Sequence, residues 1–484
     1  MYDYVIVGSG IGGALSYAIL KKIGRKVALL EKENYLGGCS GTFKRKDFFY
    51  NVGATTLVGL DDSMPLGKII KFLGVEKPPV KRLELPIVVY LDGKVIKRYS
   101  DKQKSLEEIA KNFPYKYIES VWKNIYHIAE NNWENVYKLL PLNFKNPSLL
   151  LKKIASNRRY LLYNLPYQFK STYKYFKEQI PSIDKTFKDF IDHQILITSQ
   201  GYSQDVPISV GSMGLTYNNL DNYYVYGGMG KIFDSLIKDK NDVFLRHKVL
   251  YVKKMNGYFE IKTNKNVFYA KKVILNKTIW DYAELLEPEY KQKMLRYRKK
   301  YPKRWYALTI YFIIEDKNNL IQEHHYQIIH EETNPYTGSN SFFISLSDHE
   351  LGEKKSVTIS THCKNELWEN LEKNEYYEQK EKAKEFMFDI MKQYISAFKE
   401  VRIENVMVGT PITFERYTQR YSGTVGGIPL IKDYIPFKYP SNFTEIEGLY
   451  LVGDSLFPGQ GWPGVSMGVL NLLLQLENIP EILD

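Results

Sequence analysis

The chain reads as an α/β protein: a Rossmann-type dinucleotide-binding domain with an α+β domain inserted into it. Three stretches predict this. An apolar run over 2–7 leads into Gly8-Ser9-Gly10-Ile11-Gly12-Gly13. A second apolar run, 448–454, closes on Gly453-Asp454 ahead of a glycine-rich turn and a helical pattern. Between them, from about residue 78, the pattern changes to hairpins and long helical stretches.

The N-terminal stretch is a strand feeding a G-x-G-x-x-G fingerprint. Gly8 permits the tight turn, Gly10 lets the backbone approach a pyrophosphate, and Gly13 lets the next helix, expected over 14–23, lie against the strand. Ser9 and Ile11 belong to the same turn, whose helix N-terminus offers free N–H groups to phosphate. After Gly24 a second strand over 26–30 ends at Glu31, 18 residues past Gly13. A carboxylate there accepts ribose hydroxyls, and it argues against a ribose 2′-phosphate.

Lys32 and its neighbours lead into Gly37-Gly38-Cys39-Ser40-Gly41, a second glycine cluster that a bare nicotinamide site does not need. Adjacent glycines let backbone lie against a large flat ligand. A strand over 48–53 follows, closing on Gly53. Cys39 has neither a His nor a base near it in sequence and reads as a small packing residue. Further on, the pattern predicts a hairpin over 87–99 around Asp92-Gly93 and a helix over 105–134. Gly227-Gly228-Met229-Gly230 opens another helix. Then come a strand over 243–251, a hairpin over 252–267 at Asn256-Gly257, strands over 272–276 and 307–314, and a helix over 377–398. At the C-terminus, Asp454 is placed to accept hydrogen bonds from a polyol chain. A helix from about Gly464, with Val465 in its first turn, offers its dipole to ligand carbonyls. Trp462-Pro463, just before it, either shapes a tunnel beside the ligand or packs under the helix start.

The length, 484 residues, supports two or three domains, and 44% hydrophobic residues is a globular composition. The formal net charge is +12, which suits an anionic partner, although a Lys-, Asn-, Ile- and Tyr-rich bias produces the same total. Two cysteines, Cys39 and Cys363, give neither a disulfide framework nor metal-ligand spacing. The expectation is a reducing cytoplasm, with no leader ahead of residue 2. No apolar run reaches 18 residues.

With its two glycine clusters, the acid between them, Gly38-Cys39-Ser40-Gly41, Tyr421-Ser422-Gly423-Thr424 and Pro458-Gly459-Gln460-Gly461, the chain resembles the FAD-dependent amine oxidase and phytoene desaturase superfamily. It is nearest the carotenoid isomerase and retinol saturase branch. Members often carry Arg after the two glycines where this chain has Cys39, and Asp where it has Asn51. The resemblance implies non-covalent FAD, since the superfamily's flavin-linking Cys has no counterpart after Asp454. It implies FAD contacts from Gly8, Ser9, Gly10, Ile11, Gly13, Glu31, Lys32, Gly38, Cys39, Val249 (through its backbone, to adenine), Gly453, Asp454, Gly464, Val465 and Met467. It also implies an FAD-binding domain built from 1–77, 204–290 and 405–484, and a substrate domain built from 78–203 and 291–404. The implied chemistry is isomerisation or dehydrogenation of a long polyene or isoprenoid. Saturation, amine oxidation and a non-catalytic flavin or lipid carrier remain open. No acid–base pair stands out, so no catalytic residue is named.

Residues 135–177 contain nine basic residues (Lys138, Lys145, Lys152, Lys153, Arg158, Arg159, Lys170, Lys174 and Lys177) and no acid. Leu149-Leu150-Leu151, Ile154, Leu161-Leu162 and six tyrosines are interleaved with them. Apolar and basic groups side by side on helices read as a peripheral membrane surface, here on the cytoplasmic inner face. A helical lid over the substrate domain is the alternative. No base-reading motif suggests nucleic acid.

Overall fold

The computed structural model describes residues 1–142, 147–348, 352–435 and 438–483. Its strands form two seven-stranded sheets and two small ones. In the first large sheet Tyr2–Val7 lies between Val27–Leu30 and Val267–Leu275, parallel to both. Leu449–Leu451 pairs in parallel with the end of Val267–Leu275, and Val243–Phe244 with Val27–Leu30. The hairpin Val249–Lys254 and Phe259–Thr263 closes the other edge. Val27–Leu30 is buried at every position, as a parallel strand covered on both faces must be. Helices Ile11–Lys22 and Gly461–Glu477 cover one face, packing against Tyr4, Ile6 and Leu29.

The second large sheet runs in the order Arg402–Gly409, Tyr306–Glu315, Lys354–Cys363, Ser341–Leu346, His325–Ile329, Ile87–Leu91, Lys94–Arg98. One face, with Leu308, Ile310, Phe312, Val357 and Ile359, packs on Met387 and Met391 of the helix Lys373–Tyr394. The strand Arg402–Gly409 straddles residue 405, where a domain boundary is expected from the sequence.

Several elements differ from their sequence reading, among them the strand expected over 272–276, which begins at Val267, and the helix expected over 14–23, which begins at Ile11. The helix expected over 105–134 is two, Lys102–Asn112 and Ile118–Leu139. Pro114 breaks it, since proline has no N–H and disfavours helical geometry in Phe113 before it. The strand over 243–251 is interrupted at Arg246, whose φ is 58°. The helix expected over 377–398 lies at Lys373–Tyr394, started by a capping box between Glu372 and Glu375. The last helix begins at Gly461 rather than Gly464, because Pro463 is tolerated in a first turn. Among the described residues, no helix is long and apolar enough to cross a membrane.

Candidate active site

The carboxyl ends of four parallel strands lead into Gly8, Glu31, Asn276 and Gly453-Asp454, so the turns that follow them gather at one edge of the first sheet. A crevice at such an edge is where open α/β sheets bind ligands. Gly8 adopts φ +91°, and a Cβ on Gly13 would lie 1.9 Å from the Gly8 carbonyl. Beneath the turn sits Asn276, with its amide oriented to accept from the Gly10 N–H at 3.0 Å and to donate to the Val452 carbonyl at 3.3 Å. A Cβ on Gly10 would come within 2.6 Å of that amide. No side chain caps the helix that begins at Ile11, so its first N–H groups face the crevice as an anion site.

Glu31 is buried and already occupied. Its Oε2 accepts the Ser9 N–H at 2.9 Å and the Ser9 hydroxyl at 2.6 Å, while Oε1 accepts the Glu33 N–H at 2.9 Å. Gly37 in turn donates to Ser9 Oγ at 3.2 Å. The carboxylate therefore ties both glycine clusters together, and with about four acceptor positions it keeps room for about one more donor. Lys32 donates to the Tyr417 carbonyl and pairs with Glu33. The N–H of His247 donates to the Glu31 carbonyl at 2.8 Å, which brings Val249 to this edge two residues later. A Cβ on Gly38 would meet Gly10 Cα at 3.6 Å, so the two glycine stretches face each other through bare backbone.

At the other end of the crevice Asp454 is clamped by Arg420. Nη1 donates to Oδ2 at 2.8 Å, Nη2 to Oδ1 at 3.1 Å, and Nη2 also to the Gly426 carbonyl at 2.5 Å. Burial works against the guanidinium's charge, but the carboxylate of Asp454, hydrogen-bonded to it, outweighs this and raises its pKa. Cys39 lies against Arg420, and burial nevertheless pushes its thiol pKa up. It is held as a thiol, not the thiolate that nucleophilic chemistry requires. Sequence reasoning missed Arg420. Its one signal was its place beside Tyr421-Ser422-Gly423, and no spacing rule pairs it with a carboxylate 34 residues away.

The last helix again starts without a side-chain cap, at Gln460. A Cβ on Gly464 would lie 2.7 Å from the Gly459 carbonyl. Val465 and Met467 are buried, Met467 within the core under the first sheet, so the first turn offers a ligand its backbone. Trp462 is 3% exposed with its ring 5.6 Å from Phe233, which is the packing role rather than a tunnel wall. Asn51 Oδ1 accepts from Thr42 Oγ1 and from the Met229 N–H, both at 2.9 Å. An amide oxygen does there what a carboxylate oxygen would, capping the Gly-Gly-Met-Gly turn. Bare glycine faces, two uncapped helix starts and a carboxylate at either end fit an FAD.

Residues 6–73 match the family model of the NAD(P)-binding Rossmann-like domain. The chain is 27% identical to a chloroplastic prolycopene isomerase of Daucus carota, over 95% of this chain and 77% of that protein. An all-trans-retinol 13,14-reductase of Danio rerio is 34% identical over 117 residues, 23% of this chain and 19% of the reductase. Among solved structures, a putrescine oxidase double mutant aligns with a TM-score of 0.64 at 14% identity, covering 99% of this chain and 98% of that one. Fold and site together are those of a dinucleotide-binding α/β protein that shares its overall fold with the putrescine oxidase. Along 95% of its length the chain is similar to the prolycopene isomerase, and over a shorter stretch to the retinol 13,14-reductase.

Proposed function

We propose that this protein is an FAD-dependent enzyme acting on a long polyene or isoprenoid, by cis–trans isomerisation or dehydrogenation. The observation that carries this is the likeness to prolycopene isomerase along 95% of the chain. Gly8, Ser9, Gly10, Ile11 and Gly13 would hold the diphosphate. Glu31, Lys32 and the Val249 backbone would take the adenosine end. Gly38, Cys39, Gly453, Asp454 and the helix start at Gly464, Val465 and Met467 would take the flavin end. Bound there, FAD supplies hydride or electron transfer with the polyene. Arg420 fixes a positive charge at that end, close to the buried Asp281. The division into an FAD domain (1–77, 204–290, 405–484) and a substrate domain (78–203, 291–404) belongs to the same proposal; the two large sheets draw their strands from these stretches, save for Arg402–Gly409.

The reading extends to a membrane surface at 135–177. Helices Pro147–Ser156 and Arg158–Phe169 leave Leu151, Ile154, Leu162, Leu165 and Phe169 exposed among their bases. Lys145 lies outside the described residues, as does the Leu149 side chain. An anionic inner leaflet is the surface this combination suits.

Expression in a host that accumulates poly-cis or acyclic carotenoid precursors tests the activity. The pigment profile is expected to change: a geometric shift without change of mass marks isomerisation, and a loss of two hydrogens marks dehydrogenation. A gain of two hydrogens favours the saturase alternative. An unchanged profile across several precursors overturns the polyene reading.

A further inference from the structure

The second large sheet has one apolar face, already described, and strand periodicity assigns the alternate residues to the other. That other face is polar across its middle, between an apolar edge at Ile329, Val89 and Leu91 and the buried Ile313. Tyr311 stands opposite Thr358, Thr358 opposite Ser345, and Ser345 opposite His325, so one row crosses four strands with a hydroxyl or imidazole at each position. The next row holds Thr309, Ser360, Phe343 and Gln327. A sheet face turned toward a hydrocarbon would carry Val, Leu and Ile there, as the opposite face does.

The row meets the segment that follows Asn51. Thr55 Oγ1 lies 2.9 Å from Ser345 Oγ, Thr56 Oγ1 lies 3.3 Å from His325 Nε2, and His325 Nδ1 lies 3.0 Å from Ser345 Oγ. Tyr311 donates to the Val52 carbonyl. Between them is a cavity of about 120 Å³, lined among others by Asn51, Thr55, His325, Ser345, Ser356 and Thr358. It also borders Gly227-Gly228, and a Cβ on Gly228 would strike Thr42 and Asn51. The cavity therefore adjoins the Gly-Gly-Met-Gly turn, and its size suits an end group rather than a whole chain.

Its chemistry is neutral. Burial lowers the His325 pKa to about 3, so the imidazole is uncharged at ordinary pH. Lys354, at the rim, is paired with Glu404. Among the described residues the hydroxyls of Ser356 and Thr358 have no hydrogen-bond partner. A hydrocarbon end group would leave such donors unpaired and dry, whereas a hydroxyl or carbonyl oxygen would satisfy them.

We propose that this cavity receives an oxygen-bearing end of the substrate, so that the preferred polyene carries a neutral hydroxyl or carbonyl rather than being a plain hydrocarbon. The proposal rests on the polyene reading above and narrows it. Its test is a titration of the FAD-loaded protein with β-carotene and with its dihydroxylated counterpart zeaxanthin, in detergent micelles, followed by the change in flavin absorbance. Zeaxanthin is expected to bind on the order of tenfold to a hundredfold more tightly. The double variant Ser345→Ala, Thr358→Val is expected to bring the two ligands near parity while leaving β-carotene affinity and FAD content unchanged, and Thr358→Ser to keep the preference. Equal affinities in the wild type, or a preference that survives in the double variant, overturn the end-group assignment and leave the polyene reading standing. Failure of both polyenes to bind overturns the two together.

Discussion

Glu31 does two things with one carboxylate. It holds Ser9 and the Glu33 N–H in place, and it keeps room for a ribose donor. Glu31→Ala is expected to weaken FAD binding about tenfold to a hundredfold, the equivalent of about 1.5–3 kcal/mol for hydrogen bonds to a charged acceptor. Titrating apoprotein with FAD and following flavin fluorescence measures it. An unchanged Kd would remove the carboxylate from the site. At the far end, Arg420 lies against Cys39, the position where superfamily members often carry an arginine themselves. The charge is brought in from a distant loop instead of the glycine cluster, and Asp454 fixes its direction through two parallel hydrogen bonds. Asp454 was legible in the sequence because Gly-Asp at a strand end is a local pattern. Its partner was not, because only the fold brings residues 420 and 454 together.

His325 and His362 lie on strands of the second large sheet, and His330 directly follows one. Burial lowers the pKa of His325 to about 3 and those of His330 and His362 to about 4. In the unfolded chain each titrates near 6.5. Between about pH 6.5 and 4 the unfolded state therefore binds protons that the folded state refuses, so stability is full above about pH 6.5 and falls as the solution is acidified. Melting temperature is expected to drop between pH 7.5 and 5, before most carboxylates titrate. The triple variant His325→Gln, His330→Gln, His362→Gln should flatten that slope, and an unchanged slope would mean that other groups set it. The alternation of Ser356, Thr358, Ser360 and His362 with Val357 and Ile359 was visible in the sequence, but which face a helix covers was not, since that depends on Met387 and Met391 nearly thirty residues away. The long helical reading of 105–134 failed for a local reason, because apolar spacing continues through Pro114 while the backbone does not.

Over the whole molecule the charge is uneven. A formal +12 is distributed so that residues 135–177 contain no acid, and the structure brings bases and uncovered apolar side chains together there. Leu151 is 66% exposed, Leu162 67% and Phe169 62%, on the two helices that bear Lys152, Lys153, Arg158 and Arg159. A lid closed over the substrate domain would bury those side chains; a surface resting on a bilayer would insert them, with each nearby base adding about 1 kcal/mol at an anionic leaflet. Not every base is free to contribute, since Lys153 donates to the Lys138 and Leu140 carbonyls and Lys170 pairs with Glu178. Liposome flotation separates the two arrangements. Binding to anionic vesicles is expected at low salt and should weaken as salt screens the charges. Changing Lys152, Lys153, Arg158 and Arg159 to Glu should abolish it without loss of FAD, whereas changing Leu151, Leu162 and Phe169 to Ser should weaken it at every salt concentration. Equal flotation of wild type and the charge-reversed variant, or none at low salt, would return these helices to the role of a lid. The membrane arrangement would let a polyene enter from the bilayer without crossing water.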